Sequence, residues 1–217
     1  SRSDDPLCRD LCVRSGAIVV SMDYRHAPEH VFPAAVDDAW TAVRWVAAHA
    51  AELGGEPGPI VVAGWSAGGN LAAVVAQRAR DEAGPALAGQ LLICPVTDMS
   101  RQRASILRNG DGFVLTHEML DWFYTSYDAD RSSPLASPLL ADSLAGLPPA
   151  AVFTAQFDPL VDEGDAYAAA LAAAGVPVMH ELCRGQIHTS FGAVDVLISP
   201  IGHRAAMADA VQNFFAG

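Results

Sequence analysis

Apolar positions along the chain follow two alternating periods. Segments dominated by valine, isoleucine, leucine and alanine occupy residues 17–23, 60–63, 90–96, 151–156 and 177–183. Segments of that length and composition predict five strands, the one at 60–63 reading as a buried parallel strand. Between them the apolar residues recur at helical spacing. In 35–48, Val36, Trp40, Val43 and Ala47 share one face, with Asp37, Asp38 and Arg44 elsewhere. Residues 71–80 have a helix-forming composition, 163–174 end before Gly175, and 204–215 turn Met207, Ala210, Val211 and Phe214 to one side. Strand–helix alternation of this kind predicts an α/β fold, a mostly parallel sheet with helices on both faces.

One stretch interrupts the alternation. Residues 100–147 carry Asn109-Gly110-Asp111-Gly112, a helical patch at 119–127, and prolines at 134 and 138. A structureless loop of that length is unusual in a compact domain, so the stretch is expected to be an insertion with structure of its own. It is expected to flank the functional site, with Phe113, Trp122 and Phe123 as candidate lining residues, although ordinary core packing would explain each of them equally well.

Composition narrows the class. With 217 residues, 51% of them hydrophobic, the chain can bury a sizeable core as one domain over 1–217 without a metal or disulfide framework. A net charge of −12 argues against nucleic acid or an anionic membrane as partner. The four cysteines are too few and too scattered for a disulfide scaffold. Cys8 and Cys12 share a helical face with Leu11, and a zinc site there would need two further ligands that nothing nearby supplies. No metal and no cofactor are expected. No span reaches the roughly 18 apolar residues of a membrane helix, and the first residues resemble no signal peptide, which makes a cytoplasmic address the default. The start, Ser1-Arg2-Ser3-Asp4-Asp5-Pro6, lacks an initiating methionine, as expected of part of a longer protein.

The candidate chemistry lies where the run at 60–63 meets Gly64-Trp65-Ser66-Ala67-Gly68-Gly69-Asn70. Gly-x-Ser-x-Gly between a strand and a helix is the pattern of a nucleophile elbow, in which a sharp turn projects the serine from the top of the sheet. Gly64 and Gly68 are expected to keep Cβ atoms out of that turn. The N–H of Ala67, opening the helix, would face negative charge developing on a carbonyl oxygen. A serine nucleophile needs a base and a carboxylate, and in such folds these follow in the order Ser, Asp, His. Asp158 follows the run 151–156, at the C-terminal end where open α/β sheets gather their reactive groups. His188 lies in a loop after 177–183. Asp162 is the rival acid, but its place at the mouth of a helix suits capping. The remaining histidines, His26, His30, His49, His180 and His203 among them, read as surface or structural residues.

These motifs together resemble the hormone-sensitive-lipase-like family of bacterial esterases, within the α/β-hydrolases. The resemblance spans nearly the whole chain: Asp23-Tyr24-Arg25-His26-Ala27-Pro28-Glu29 with Phe32-Pro33-Ala34-Ala35 and Asp38, the elbow, Asp158-Pro159-Leu160 with Asp162-Glu163-Gly164, and Ile187-His188. It implies cofactor-free hydrolysis of small carboxylic esters, often as a homodimer, by Ser66, Asp158 and His188 with Ala67 as one oxyanion donor. The chain departs from the family at Trp65, where aspartate is usual, at His26 and at Thr189. Trp65 is expected to alter packing more than chemistry. The His-Gly-Gly-Gly loop that supplies the family's other oxyanion donors has no counterpart here. Family members place a strand leading into that loop between those matching 17–23 and 60–63, so the sheet is expected to be N-terminally incomplete. The alternatives are a peptidase or amidase on the same scaffold, or a non-catalytic acyl-binding relative.

Overall fold

The computed structural model describes residues 4–216. Four strands, β1 (Ile60–Trp65), β2 (Leu87–Ile93), β3 (Ala150–Phe157) and β4 (Val178–Ile187), pair in parallel in the order β1-β2-β3-β4. Parallel neighbours require crossovers, and helices supply them. The helices are α1 (Asp5–Ser15), α2 (Ala34–His49), α3 (Ala67–Asp81), α4 (Ala104–Asn109), α5 (His117–Tyr127), α6 (Val161–Ala173) and α7 (Ile201–Ala216).

Alternation along the strands divides the core in two. Val62, Leu92 and Val152 face one way, packing against Val36 and Trp40 of α2, the alanine- and valine-rich side of α3, and Tyr167 and Leu171 of α6. Leu91, Ile93, Ala151, Phe153 and Cys183 face the other, against Leu7 and Leu11 of α1 and Met207, Ala208 and Val211 of α7. The sheet therefore carries helices on both faces. Among the described residues no helix is long and apolar enough to cross a membrane.

The run at 17–23 is not a strand. Ile18, Val19 and Val20 are 53%, 38% and 44% exposed, because a β-branched run becomes a strand only where a neighbour completes its ladder. Nothing pairs with the outer edge of β1 among the described residues, and Ala63 on that strand is exposed. β2 begins and ends three residues earlier than the apolar run suggests, since Cys94 adopts φ 43 and leaves the extended conformation. Residues 100–147 fold as α4, α5 and a 3₁₀ turn at Pro138–Leu140. Ile106, Leu115, Leu120 and Ala136 form a third apolar cluster there with Val96, Met99 and Leu160.

Candidate active site

Ser66 stands at the junction of β1 and α3 with φ 57 and ψ −119, a conformation that non-glycine residues rarely adopt. Three backbone hydrogen bonds hold it there. Its N–H donates to the Ile93 carbonyl (2.9 Å), and its own carbonyl accepts from Asn70 N (3.1 Å) and Val96 N (3.3 Å). The close approach that makes glycine necessary involves Gly64 and Gly69. A Cβ on Gly64 would sit 2.0 Å from the Gly68 carbonyl oxygen, and one on Gly69 would sit 2.9 Å from Pro95 Cβ. Gly68 has open space, which corrects the expectation that Gly64 and Gly68 share this role.

Asp158 follows β3 and is wholly buried; His188 follows β4 and is 5% exposed. His188 Nε2 lies 2.9 Å from Ser66 Oγ, and His188 Nδ1 lies 2.7 Å from Asp158 Oδ2. The second carboxylate oxygen of Asp158 accepts from Leu160 N at 2.9 Å, and the Asp158 carbonyl accepts from Asn109 Nδ2 of α4 at 3.0 Å. Three residues separated by 92 and 30 positions thus form one hydrogen-bonded chain at the C-terminal ends of three strands. Ala67 is exposed beside them as the first residue of α3, where its N–H has no intrahelical acceptor.

A cavity of about 330 Å³ opens beside Ser66 and Ala67. Val96, Met99, Leu115 and Leu120 line its depth, Trp122 and Phe123 of α5 border it, and Tyr24, Arg25 and His26 contribute from the segment before α2. Phe113 stacks instead on Phe157, with ring centroids 5.1 Å apart. Asp162 does not join Ser66: its carboxylate accepts from Ser105 N (2.8 Å) and Arg108 (3.1 Å), tying α6 to α4. His180 pairs with Asp165, His49 stacks on Trp45, and His203 meets Glu181.

Three supporting residues make contacts that the motifs do not assign. Trp65 Nε1 donates to the His188 carbonyl at 3.1 Å, so the residue that departs from the family pattern anchors the histidine loop. Cys94, fully buried, has its thiol within 4.8 Å of the Asp158 and His188 ligand atoms. Burial, and then the Asp158 charge, push that thiol's pKa well above its ordinary range. Glu163 of α6 is 1% exposed, and its Oε1 accepts from Thr97 N at 2.7 Å while Oε2 has no hydrogen-bond partner among the described residues. Burial raises its pKa to about 8, against the lowering effect of the Thr97 and Asp98 N–H groups. The glutamate thereby links the helix after Asp158 to the loop that carries Val96 and Met99 into the cavity wall. Glu163 stands in the acid-motif segment and Trp65 in the elbow, but neither contact is encoded by its sequence neighbours, and Cys94 carries no signal at all.

Comparison with known proteins sets this geometry among relatives. A family model described as alpha/beta hydrolase fold matches residues 1–192. A carboxylic ester hydrolase, LipN, of Mycobacterium tuberculosis is 51% identical over 183 residues, covering 80% of this chain and 49% of that protein. An ethyl acetate hydrolase of Pseudomonas putida is 41% identical, covering 86% of this chain and 60% of that one. The crystal structure of a thermostable esterase from Pseudomonas putida superimposes with a TM-score of 0.92 at 44% identity, covering 99% of this chain and 69% of that chain. The chain thus spans between about half and three-fifths of the length of these two curated relatives.

Proposed function

The chain belongs to the α/β-hydrolase family, in its hormone-sensitive-lipase-like branch, and from that premise we propose that it hydrolyses small carboxylic esters through a serine acyl-enzyme. The observation that carries the proposal is the continuous contact from Ser66 Oγ through His188 to Asp158. In this reading neutral His188 takes the Ser66 proton at Nε2 as Oγ attacks the ester carbonyl. Asp158 holds the Nδ1–H tautomer and stabilises the imidazolium that forms. The negative oxygen of the tetrahedral intermediate faces the N–H of Ala67 at the positive end of α3. His188 then protonates the departing alcohol, and the same steps with water as nucleophile free the acid. The volume and apolar lining of the cavity favour a small acyl group. Relatives named as ester hydrolases support an ester over an amide as substrate.

The test is hydrolysis of a short-chain p-nitrophenyl ester by the chain beside Ser66→Ala, both first shown to be folded by circular dichroism. Turnover that disappears with the serine is the expected outcome. Equal background rates from two folded proteins would refute catalysis by this chain and leave acyl binding as the reading to pursue.

A further inference from the structure

Outside the site, one group of side chains joins a sulfur, a nitrogen and an oxygen donor. Glu181 and Cys183 lie two residues apart on β4 and so project from the same face. His203, in the first turn of α7, meets them. Its Nδ1 is in contact with Glu181 Oε1, and the donor atoms of all three residues lie within 4.8 Å of one another. Cys183 is fully buried behind the pair, while the Glu181 and His203 side chains are 30% and 24% exposed. The thiol itself is closed to solvent, so an ion would enter between the partly exposed Glu181 and His203 side chains.

We propose that Glu181, Cys183 and His203 form a binding site for a zinc-like divalent ion, distinct from the Ser66 site. The donor set is the argument. Thiolate and imidazole together select zinc over magnesium or calcium, which prefer all-oxygen shells. Tetrahedral zinc with bonds of 2.0–2.3 Å places its ligand atoms about 3.3–3.8 Å apart, so the three donors need only small side-chain rotations to close on an ion. Water from the exposed side completes the fourth position. Binding breaks the His203–Glu181 contact and displaces the Cys183 proton to solvent, so that the ion is held by one thiolate, one neutral imidazole and one carboxylate. The adjacent cation, Arg204, pairs with Asp10 at 3.1 Å. The net charge of −12 favours cation approach. Cys94, Asp158 and His188 also offer three donors, but all three residues are buried.

Position gives the site its consequence. Residues 188–200 connect β4 to α7 and include His188, and an ion shared by Glu181, Cys183 and His203 would pin the two ends of that connection together. The inference does not depend on ester hydrolysis, and its test does not read activity.

Cobalt(II) serves as the probe, added to protein freed of metal by a chelator. The expected result is a sulfur-to-cobalt charge-transfer band in the near ultraviolet that saturates at one equivalent and is displaced by zinc. The band is expected to vanish in Cys183→Ser, and cobalt affinity is expected to fall at least tenfold in His203→Asn. Absence of a saturable band, or a band unchanged in Cys183→Ser, overturns the proposal. Should Cys183→Ser fail to fold, His203→Asn, at a partly exposed position, decides alone, with undiminished affinity refuting the site.

Discussion

Replacing Glu163 by glutamine is expected to change how stability depends on pH. In the folded chain the carboxyl loses water, keeps two N–H donors on one oxygen and leaves the other unpartnered, which raises its pKa from 4.5 to about 8. A group whose pKa is higher folded than unfolded binds more protons in the folded state between those two values. Its contribution is complete below pH 4.5 and is lost as pH rises through 8. At about 1.4 kcal/mol per pH unit the full swing is about 5 kcal/mol, of which about 2.5 kcal/mol falls between pH 5 and pH 7. Glutamine retains the acceptor for Thr97 N and Asp98 N but cannot ionise, so the swing should disappear. The assay is urea unfolding of both proteins at pH 5, 6, 7 and 8, read as the difference in stability between them, which cancels the titration of every other group. Glu163→Gln should gain on the parent as pH rises. A difference that stays constant across this range would show that Glu163 is not held neutral by its surroundings.

Two further substitutions probe the scaffold around Ser66. Asn70 donates to the Val96 carbonyl at 2.9 Å and the Ala136 carbonyl at 2.8 Å, and Asn70→Ala strands both in the interior. The expected loss is about 2–4 kcal/mol in urea unfolding, and a loss under about 0.5 kcal/mol would contradict it. Trp65→Phe removes the hydrogen bond to the His188 carbonyl and keeps an aromatic ring. If that bond anchors the histidine, kcat for a p-nitrophenyl ester should fall about two- to tenfold with KM unchanged, whereas a change in KM alone would place Trp65 in substrate binding.

Local pattern carried much of the fold and the order of the site residues. β1 and β3 were legible because interior parallel strands favour apolar runs, the edge strand β4 from the weaker run at 177–183 that it outlasts to Ile187, and the candidate residues Ser66, Asp158 and His188 because each follows one of those runs in a fixed order. The run at 17–23 shows the limit of such a reading. Ile18, Val19 and Val20 carry strand propensity, but propensity does not supply the neighbouring strand that a ladder needs. The same limit applies inside the site. That Trp65 holds the His188 loop, or that Glu163 is buried beneath Thr97, depends on contacts between residues 123 and 66 positions apart. Gly68 and Gly69 are adjacent in the motif, and only the placement of Pro95 decides which of them cannot carry a side chain.

The margin of β1, which pairs with no strand among the described residues, also governs how copies of this chain behave in concentrated solution. Unsatisfied N–H and C=O groups along a sheet margin are a template for another strand, and exposed Ile18, Val19 and Val20 add stickiness to the same chain. The opposing force is self-repulsion from a net charge of −12. That repulsion acts over roughly 10 Å at 0.1 M salt and about 3 Å at 1 M. Colloidal stability should therefore be greatest in dilute buffer near neutral pH and decline as salt rises or as pH falls towards the isoelectric point near 4.7.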